Sequence, residues 1–233
     1  MIKAVIFDLD GTLVPFTLDV KSCRTQVIQF LTELGFPSSL FSMKETAFDM
    51  LVKVETHMKT AGIKKQKFAE IKKVVHSIVE SFEVKAAQST EMFPAIPKTL
   101  KTLRKMNLKI ALCTISSEKA AKRIIDRFGL EAFFDAVIMR EHVPAVKPDP
   151  IHLEAVLEAL KVGAQEVVLV GDSAKDIICA RRLKVLAVGV TTGLSSMDVL
   201  VHAGAHYIIS SVTELPCLIM QLSKQLNEEQ NLF

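Results

Sequence analysis

The sequence predicts an α/β protein in which helices cover a parallel β-sheet and an all-helical segment is inserted after the first strand. From about residue 96 onward, short runs rich in Val, Ile and Leu alternate with segments of helical periodicity. Apolar runs of this kind indicate strands that are covered on both faces, and strand–helix alternation indicates a parallel sheet. Residues 19 to about 90 differ, because they show long helical periodicity and no strand-like run.

The first strand and the inserted segment each follow from a local pattern. The strand covers the apolar run Ala4–Phe7, which ends abruptly at Asp8. In the insert, apolar residues recur every three or four positions and form one stripe of a helix, namely Phe68, Ile71, Val75, Ile78 and Phe82. Lysines lie mostly off this stripe, as expected for a face in contact with solvent, namely Lys64, Lys65, Lys67, Lys72 and Lys73.

The remaining elements alternate along the second half of the chain. The predicted strands are Leu108–Cys113, Ala136–Met139, Val167–Val170, Val185–Val190 and Tyr207–Ile209. The predicted helices cover residues 97–106, 117–128, 150–161, 174–183 and 213–226. Gly129 suits the C-terminal cap of one helix, and Asp149 followed by Pro150 supplies an N-cap and an N1 proline for the next.

Composition excludes several classes of function. A formal charge of +3, one Tyr and no Trp argue against a nucleic-acid partner. No apolar stretch approaches the roughly 20 residues of a membrane span. The four cysteines form no C-x-x-C pair, so zinc binding and dithiol chemistry are not indicated. We expect a soluble, cytoplasmic protein without a signal peptide, because the first strand begins near residue 2.

Polar side chains follow the ends of several predicted strands. They are Asp8 and Asp10, Thr114, Lys147, and the pair Asp172 and Asp176. Asp10 is followed by Gly11, a residue that favours a turn. Residues just past the carboxyl ends of parallel strands converge on one crevice. We therefore expect several carboxylates, an ammonium and a hydroxyl in a single site. A divalent cation would relieve the repulsion between the carboxylates, and oxygen ligands of this kind suit Mg²⁺.

Four short motifs in this order resemble those of the haloacid dehalogenase superfamily. They are DLDGT at 8–12, the Thr of LCTIS at 114, the Lys of VKPDP at 147 and GDSAKD at 171–176. The resemblance implies a Rossmann-like core of residues 1–16 and 91–233 and a C1-type helical cap of residues 17–90. It also implies a cap that closes over a small phosphorylated substrate.

The resemblance assigns a role to each motif residue. Asp8 would be the nucleophile that becomes an aspartyl-phosphate, and Asp10 would be the general acid and base. Thr114, Lys147, Gly11 and Ser116 would bind the phosphoryl oxygens. Mg²⁺ would be held by Asp8, Asp10 (through its main-chain carbonyl), Asp172 and Asp176, the last either as a ligand or beside one. Since dehalogenases of the superfamily lack the second Asp, Asp10 points to phosphoryl transfer.

The sequence departs from the common pattern of the family at two places, and one motif residue has a second interpretation. Ile115 stands where an Asn often follows the motif Thr. Any hydrogen bond that the Asn side chain would make must therefore come from Ser116 or be absent. Leu183 and Lys184 replace a small Ala-Gly pair. The sequence Ser173-x-x-Asp176 also fits a capping box, in which Asp176 serves the start of a helix.

We therefore predict a Mg²⁺-dependent phosphomonoester hydrolase, a monomer or homodimer, which acts on phosphoglycolate or a small sugar phosphate. Three alternatives stay open. A phosphomutase would use the same two aspartates, although the cap contains only Arg24 where mutases of this kind carry an arginine-rich signature. Phosphonate cleavage would use a cap lysine as a Schiff base. A non-catalytic binding module would show a broken motif, and none is broken.

Overall fold

The computed structural model describes residues 1–62 and 65–230, without the side chains of residues 65 and 225–230. The chain divides into a core unit, Met1–Thr17 with Ser89–Phe233, and a helical unit, Leu18–Gln88. These limits lie within two residues of the predicted core and cap boundaries. The function of the helical unit as a cap stays a prediction. Among the described residues, no helix combines the length and apolar character that a membrane span requires.

The core unit contains a parallel sheet of six strands in the described part of the chain, as the sequence predicts. The strands are β1 (Ala4–Phe7), β2 (Lys109–Cys113), β3 (Ala136–Ile138), β4 (Val167–Gly171), β5 (Leu186–Val190) and β6 (Tyr207–Ile209). Their order is β3-β2-β1-β4-β5-β6. The predicted α/β fold with a Rossmann-like sheet is confirmed.

Strand β1 lies at the point where the strand order reverses. It pairs with β2 on one side and with β4 on the other, so Phe7 lies opposite both Leu112 and Val170. All four of its residues are fully buried, which requires the uninterrupted apolar run AVIF. The residues that follow β1, β2 and β4 therefore emerge at one edge of the sheet, where ligands of such folds bind.

The helical unit contains three long helices in its described part. They are α1 (Val20–Glu33), α2 (Ala47–Thr60) and α3 (Lys65–Ser89). The predicted stripe lies on α3, where Ile71 and Val75 are buried and its other members pack partly buried against the same cluster. Val79, which the prediction omitted, is also buried. Lys67, Lys72 and Lys73 are exposed as predicted, whereas Lys64 and the side chain of Lys65 lie outside the description.

Six further helices follow in the described part of the core unit: α4 (Ile96–Lys105), α5 (Glu118–Phe128), α6 (Pro150–Leu160), α7 (Ala174–Arg182), α8 (Met197–His202) and α9 (Leu215–Gln230). Asp149 accepts a hydrogen bond from the Ile151 N–H at the start of α6, and Gly129 ends α5 with a φ of 61°. Both caps were predicted. Helix α8 was not, because its six residues are too short for a periodic signal.

The departure at Lys184 has a structural consequence. Lys184 follows α7 with a φ of 57°, in the left-handed region that favours glycine. For a residue with a Cβ atom, this conformation costs roughly 1–2 kcal/mol. A glycine there would avoid this cost. However, its unfolded chain is more flexible, and this offsets about 0.4–1 kcal/mol of the stability gained.

We therefore expect Lys184→Gly to raise the free energy of unfolding by about 0.5–1 kcal/mol, measured by urea denaturation. The matched control is Lys101→Gly on α4, where Lys101 is also exposed but helical. That substitution should lower the free energy of unfolding by about 1 kcal/mol. Two variants destabilised alike would show that the conformation of Lys184 carries no strain.

Candidate active site

Three carboxylates meet at the edge of the sheet beyond β1 and β4. Asp8 follows β1, Asp172 follows β4, and Asp176 lies in the first turn of α7. One oxygen of each lies within 4.8 Å of an oxygen of the other two. Their exposed fractions are 6%, 2% and 1%, respectively. The structure thus brings together the three carboxylates that the resemblance assigns to a metal site.

Lys147 enters this cluster from the segment between β3 and α6. Its ammonium donates hydrogen bonds to Asp8 Oδ1 at 2.7 Å and to Asp176 Oδ1 at 2.5 Å. A third bond, of 2.6 Å, goes to the main-chain carbonyl of Cys113 at the end of β2. Because the ammonium has three hydrogens and the side chain is 2% exposed, Lys147 is held as a fixed positive charge.

The cluster carries more negative than positive charge when its groups are ionised, since three carboxylates face one ammonium. Burial raises the pKa of Asp8 well above its ordinary value, Lys147 opposes this shift, and Asp176 and Asp172 add to it. Burial and then Asp176 raise the pKa of Asp172 to about 6. Burial lowers the pKa of Lys147, but Asp176 and Asp8 outweigh it and leave that pKa above the ordinary value.

This arrangement fits a divalent cation. Buried carboxylates that share a site repel each other unless a cation compensates their charge. Lys147 supplies one positive charge for three carboxylates, so Asp8, Asp172 and Asp176 could hold a metal ion. An all-oxygen set of this kind suits a hard cation such as Mg²⁺ rather than a soft one.

The carboxylate of Asp10 lies in a second group with two hydroxyl residues. Asp10 Oδ2 accepts a hydrogen bond of 2.5 Å from Ser116 Oγ, and the Ser116 N–H donates to Thr114 Oγ1 at 3.1 Å. Thr114 and Ser116 are both buried. Ser116 therefore contacts the predicted general acid directly, in addition to any contact with phosphate. The predicted metal contact of Asp10 through its carbonyl stays a prediction.

Gly11 fits where no larger residue could. Its φ is 88°, and a Cβ atom there would overlap the carboxylate of Asp172. Its carbonyl accepts a hydrogen bond of 2.6 Å from Thr192 Oγ1. The glycine lets the turn after β1 pass closely by the end of β4. Its predicted contact with phosphate stays a prediction.

The segment after β5 also supports the site, and the sequence reasoning missed it. The Leu194 N–H donates a hydrogen bond of 2.6 Å to Asp172 Oδ2, which holds the carboxylate in place. A Cβ atom at Gly193 would overlap the same carboxylate. The available signal was a Thr-Thr-Gly run directly after a strand, the same type of pattern that identified the turn after β1.

Asp176 caps the start of α7 and also lies in the carboxylate cluster, while its contact with a metal stays a prediction. Its Oδ2 accepts hydrogen bonds from the Ser173 N–H at 3.1 Å and from Ser173 Oγ at 2.5 Å, which caps the start of α7. Its Oδ1 accepts the bond from Lys147. The capping bonds thus fix the orientation of a carboxylate that faces the cluster.

Comparison with known proteins assigns the chain to a family. Residues 5–190, well over half of the chain, match the family described as haloacid dehalogenase-like hydrolase. The chain belongs to the haloacid dehalogenase-like hydrolases. The resemblance drawn from the four motifs is therefore confirmed, and so is the prediction of an enzyme of this superfamily.

Two relatives in this hydrolase family are both named phosphoglycolate phosphatase. The chain is 26% identical over 230 residues to a phosphoglycolate phosphatase of Neisseria meningitidis, covering 98% of this chain and 97% of that protein. It is 30% identical over 200 residues to a phosphoglycolate phosphatase of Pseudomonas savastanoi, covering 82% and 70%. The solved structure of a β-phosphoglucomutase from Clostridium difficile, at 20% identity, has a TM-score of 0.68 and covers 98% and 99%. That likeness shows a shared fold.

Proposed function

We propose that the protein is a Mg²⁺-dependent phosphatase that hydrolyses small phosphomonoesters through an aspartyl-phosphate at Asp8. The observation that carries the proposal is the buried contact of Asp8 with Lys147 inside a group of three carboxylates. A carboxylate at this point can attack phosphorus, and the ammonium beside it can neutralise the charge that develops on the phosphoryl oxygens.

The proposed reaction has two steps. In the first, an oxygen of Asp8 attacks phosphorus, the bond between phosphorus and the substrate oxygen breaks, and Asp10 donates its proton to the leaving alcohol. In the second, Asp10 accepts a proton from a water molecule that attacks the aspartyl-phosphate, which releases phosphate and restores Asp8. Thr114, Ser116, Gly11 and Lys147 bind the phosphoryl oxygens in both steps.

The buried carboxylates are proposed to hold the metal. Asp8, Asp172 and Asp176, with the main-chain carbonyl of Asp10, would bind Mg²⁺. When bound, Mg²⁺ supplies positive charge that stabilises the transferring phosphoryl group. The hydrogen bonds to Asp172 from Leu194 and to Asp176 from Ser173 orient two of these carboxylates in advance.

Phosphoglycolate is the first substrate to test, followed by small sugar phosphates. The support is the name of the relatives, two of which align with the greater part of this chain. Purified protein with Mg²⁺ is expected to release phosphate from p-nitrophenyl phosphate and from at least one member of a panel of phosphorylated metabolites. Absence of phosphate release from every compound would favour a non-catalytic binding module.

A phosphomutase is the second candidate, because a β-phosphoglucomutase shares the fold. The same two aspartates would serve, with a bound sugar rather than water as the acceptor. The helical unit offers one arginine for a sugar phosphate, and Arg24 already donates a hydrogen bond of 2.7 Å to the carbonyl of Met43. Conversion of glucose 1-phosphate to glucose 6-phosphate without release of free phosphate would establish the mutase.

The buried carboxylate of Asp172 predicts a specific pH dependence of the stability of the metal-free protein. Asp172 has a pKa of about 6 in the folded protein against an ordinary value of 3.8. Because the folded pKa is the higher one, the folded state binds the proton more tightly, and stability falls as the pH rises from about 4 to 7. The total loss from this group is about 3 kcal/mol, of which about 1–2 kcal/mol falls between pH 5 and pH 7.5.

Urea denaturation at these two pH values, with and without Mg²⁺, measures this loss. Mg²⁺ is expected to stabilise the protein more at pH 7.5 than at pH 5, because it binds ionised carboxylates. Asp172→Asn should lack the corresponding share of the pH dependence of the metal-free protein. Equal stabilisation by Mg²⁺ at both pH values, or none, would contradict metal binding by these carboxylates.

A further inference from the structure

We propose that Arg140 and Glu141 form a brace that positions the phosphoryl-binding loop of residues 114–118. The inference rests on the proposed function, because it concerns the loop that carries Thr114 and Ser116. Arg140 and Glu141 lie in a turn shortly after β3, and the loop follows β2, the neighbouring strand of the sheet. Neither residue belongs to the four motifs, and sequence reasoning gave neither of them a role.

The brace consists of three contacts. Arg140 Nη1 donates a hydrogen bond of 3.3 Å to the carbonyl of Ile115, in the first half of the loop. Glu141 Oε2 accepts a hydrogen bond of 2.9 Å from the N–H of Glu118, where the loop enters α5. The two side chains are joined by an ion pair of 3.3 Å between Arg140 Nε and Glu141 Oε1. The loop is thus tied to the β3 turn at two points.

Burial and the charge at the start of α5 both favour these contacts. The Arg140 side chain is 4% exposed, and a buried guanidinium is costly unless its hydrogens meet acceptors. The carboxylate of Glu141 meets the first N–H of α5, at the end of the helix where negative charge is favourable. The carbonyl of Ile115 and the start of α5 therefore have little freedom to move.

The position of Ile115 links this brace to the reaction. Ile115 lies between Thr114 and Ser116, so a movement of its peptide displaces both hydroxyls. Ser116 is the residue that reaches Asp10 and also Thr114 Oγ1. The Ile115 side chain is apolar and offers no hydrogen bond that could orient the loop. Arg140 acts instead on the main-chain carbonyl, which any residue at this position would have.

The test compares Arg140→Ala with Arg104→Ala. Arg104 also forms an ion pair on this half of the sheet, with Asp135 at 2.7 Å, but both side chains are about one-third exposed. We expect Arg140→Ala to lower kcat for p-nitrophenyl phosphate by about 10²-fold while KM changes by less than about 3-fold, as for a loop moved by a fraction of an ångström. Arg104→Ala should keep the parent's kcat.

Added guanidinium ion supplies a readout that a merely structural role would not move. At a non-denaturing concentration it should restore part of the kcat of Arg140→Ala, because it can occupy the space of the lost side chain. It should leave Arg104→Ala unchanged. A folded Arg140→Ala variant with the parent's kcat would overturn the brace, and so would a loss of kcat that guanidinium does not reverse.

If Arg140→Ala fails to fold, Glu141→Gln decides the matter. Gln keeps an oxygen for the Glu118 N–H but removes the charge that pairs with Arg140. The brace predicts a fall in kcat of about 5–10-fold, and an unchanged kcat overturns it. A parent protein that hydrolyses no phosphomonoester overturns the proposed function together with the brace. If the parent hydrolyses phosphomonoesters and these variants do so equally fast, the brace alone is overturned.

Discussion

Asp8→Asn is expected to reduce kcat for phosphomonoester hydrolysis by at least about 10⁴-fold, because the side-chain amide cannot form the phosphoenzyme. The amide has nearly the same shape as the carboxylate and keeps an oxygen that can accept the hydrogen bond from Lys147. Lys147 also keeps its bonds to Asp176 and to the Cys113 carbonyl. The substitution therefore removes the nucleophile with little change in the contacts around it.

The fold of Asp8→Asn should survive. Burial already raises the pKa of Asp8, so a neutral amide removes an unfavourable buried charge. Circular dichroism and urea denaturation should show a free energy of unfolding equal to that of the parent protein or higher. Asp126→Asn, the same change at an exposed position of α5, is the control and should keep full activity. Turnover by Asp8→Asn at the parent rate would place the nucleophile elsewhere.

The sheet could be predicted from the sequence because burial on both faces demands uninterrupted apolar strands. Every strand of the described core coincides with an apolar run of the sequence, and the end of β1 is marked by the change from Phe7 to Asp8. The convergence of Asp8, Asp172 and Lys147 follows from parallel topology alone. Helix ends could be predicted where a capping residue marks them, such as Asp149 at the start of α6 and Gly129 at the end of α5.

The contacts that fix the site could not be predicted in the same way. The Cys113 carbonyl and the Leu194 N–H are main-chain groups that any residue would supply, so residue type gives no signal for them. The position of the Asp10 carboxylate is fixed by its hydrogen bond with Ser116. That bond depends on the path of a loop rather than on periodicity. Arg140 carries no motif, and its function follows from where the β3 turn lies beside the β2 loop.

Lys147→Met is the substitution with the second largest expected effect. Met has similar length and no charge, so the change removes the ammonium from three buried carboxylates while the space stays filled. We expect kcat to fall by about 10³-fold or more, because the phosphoryl charge loses its fixed positive partner in the transition state. Steady-state hydrolysis of p-nitrophenyl phosphate with Mg²⁺ measures this loss.

Stability should change together with activity, in a way that depends on the metal. Removing one partner of a buried ion pair costs roughly 3–5 kcal/mol, and Lys147 is bonded to both Asp8 and Asp176. Mg²⁺ should recover part of this loss, since it would compensate the same carboxylates. Lys98→Met, at an exposed position of α4, should change neither quantity. A Lys147→Met variant with the parent's kcat, and with the parent's stability in the absence of Mg²⁺, would show that Lys147 is not the fixed positive charge proposed for this site.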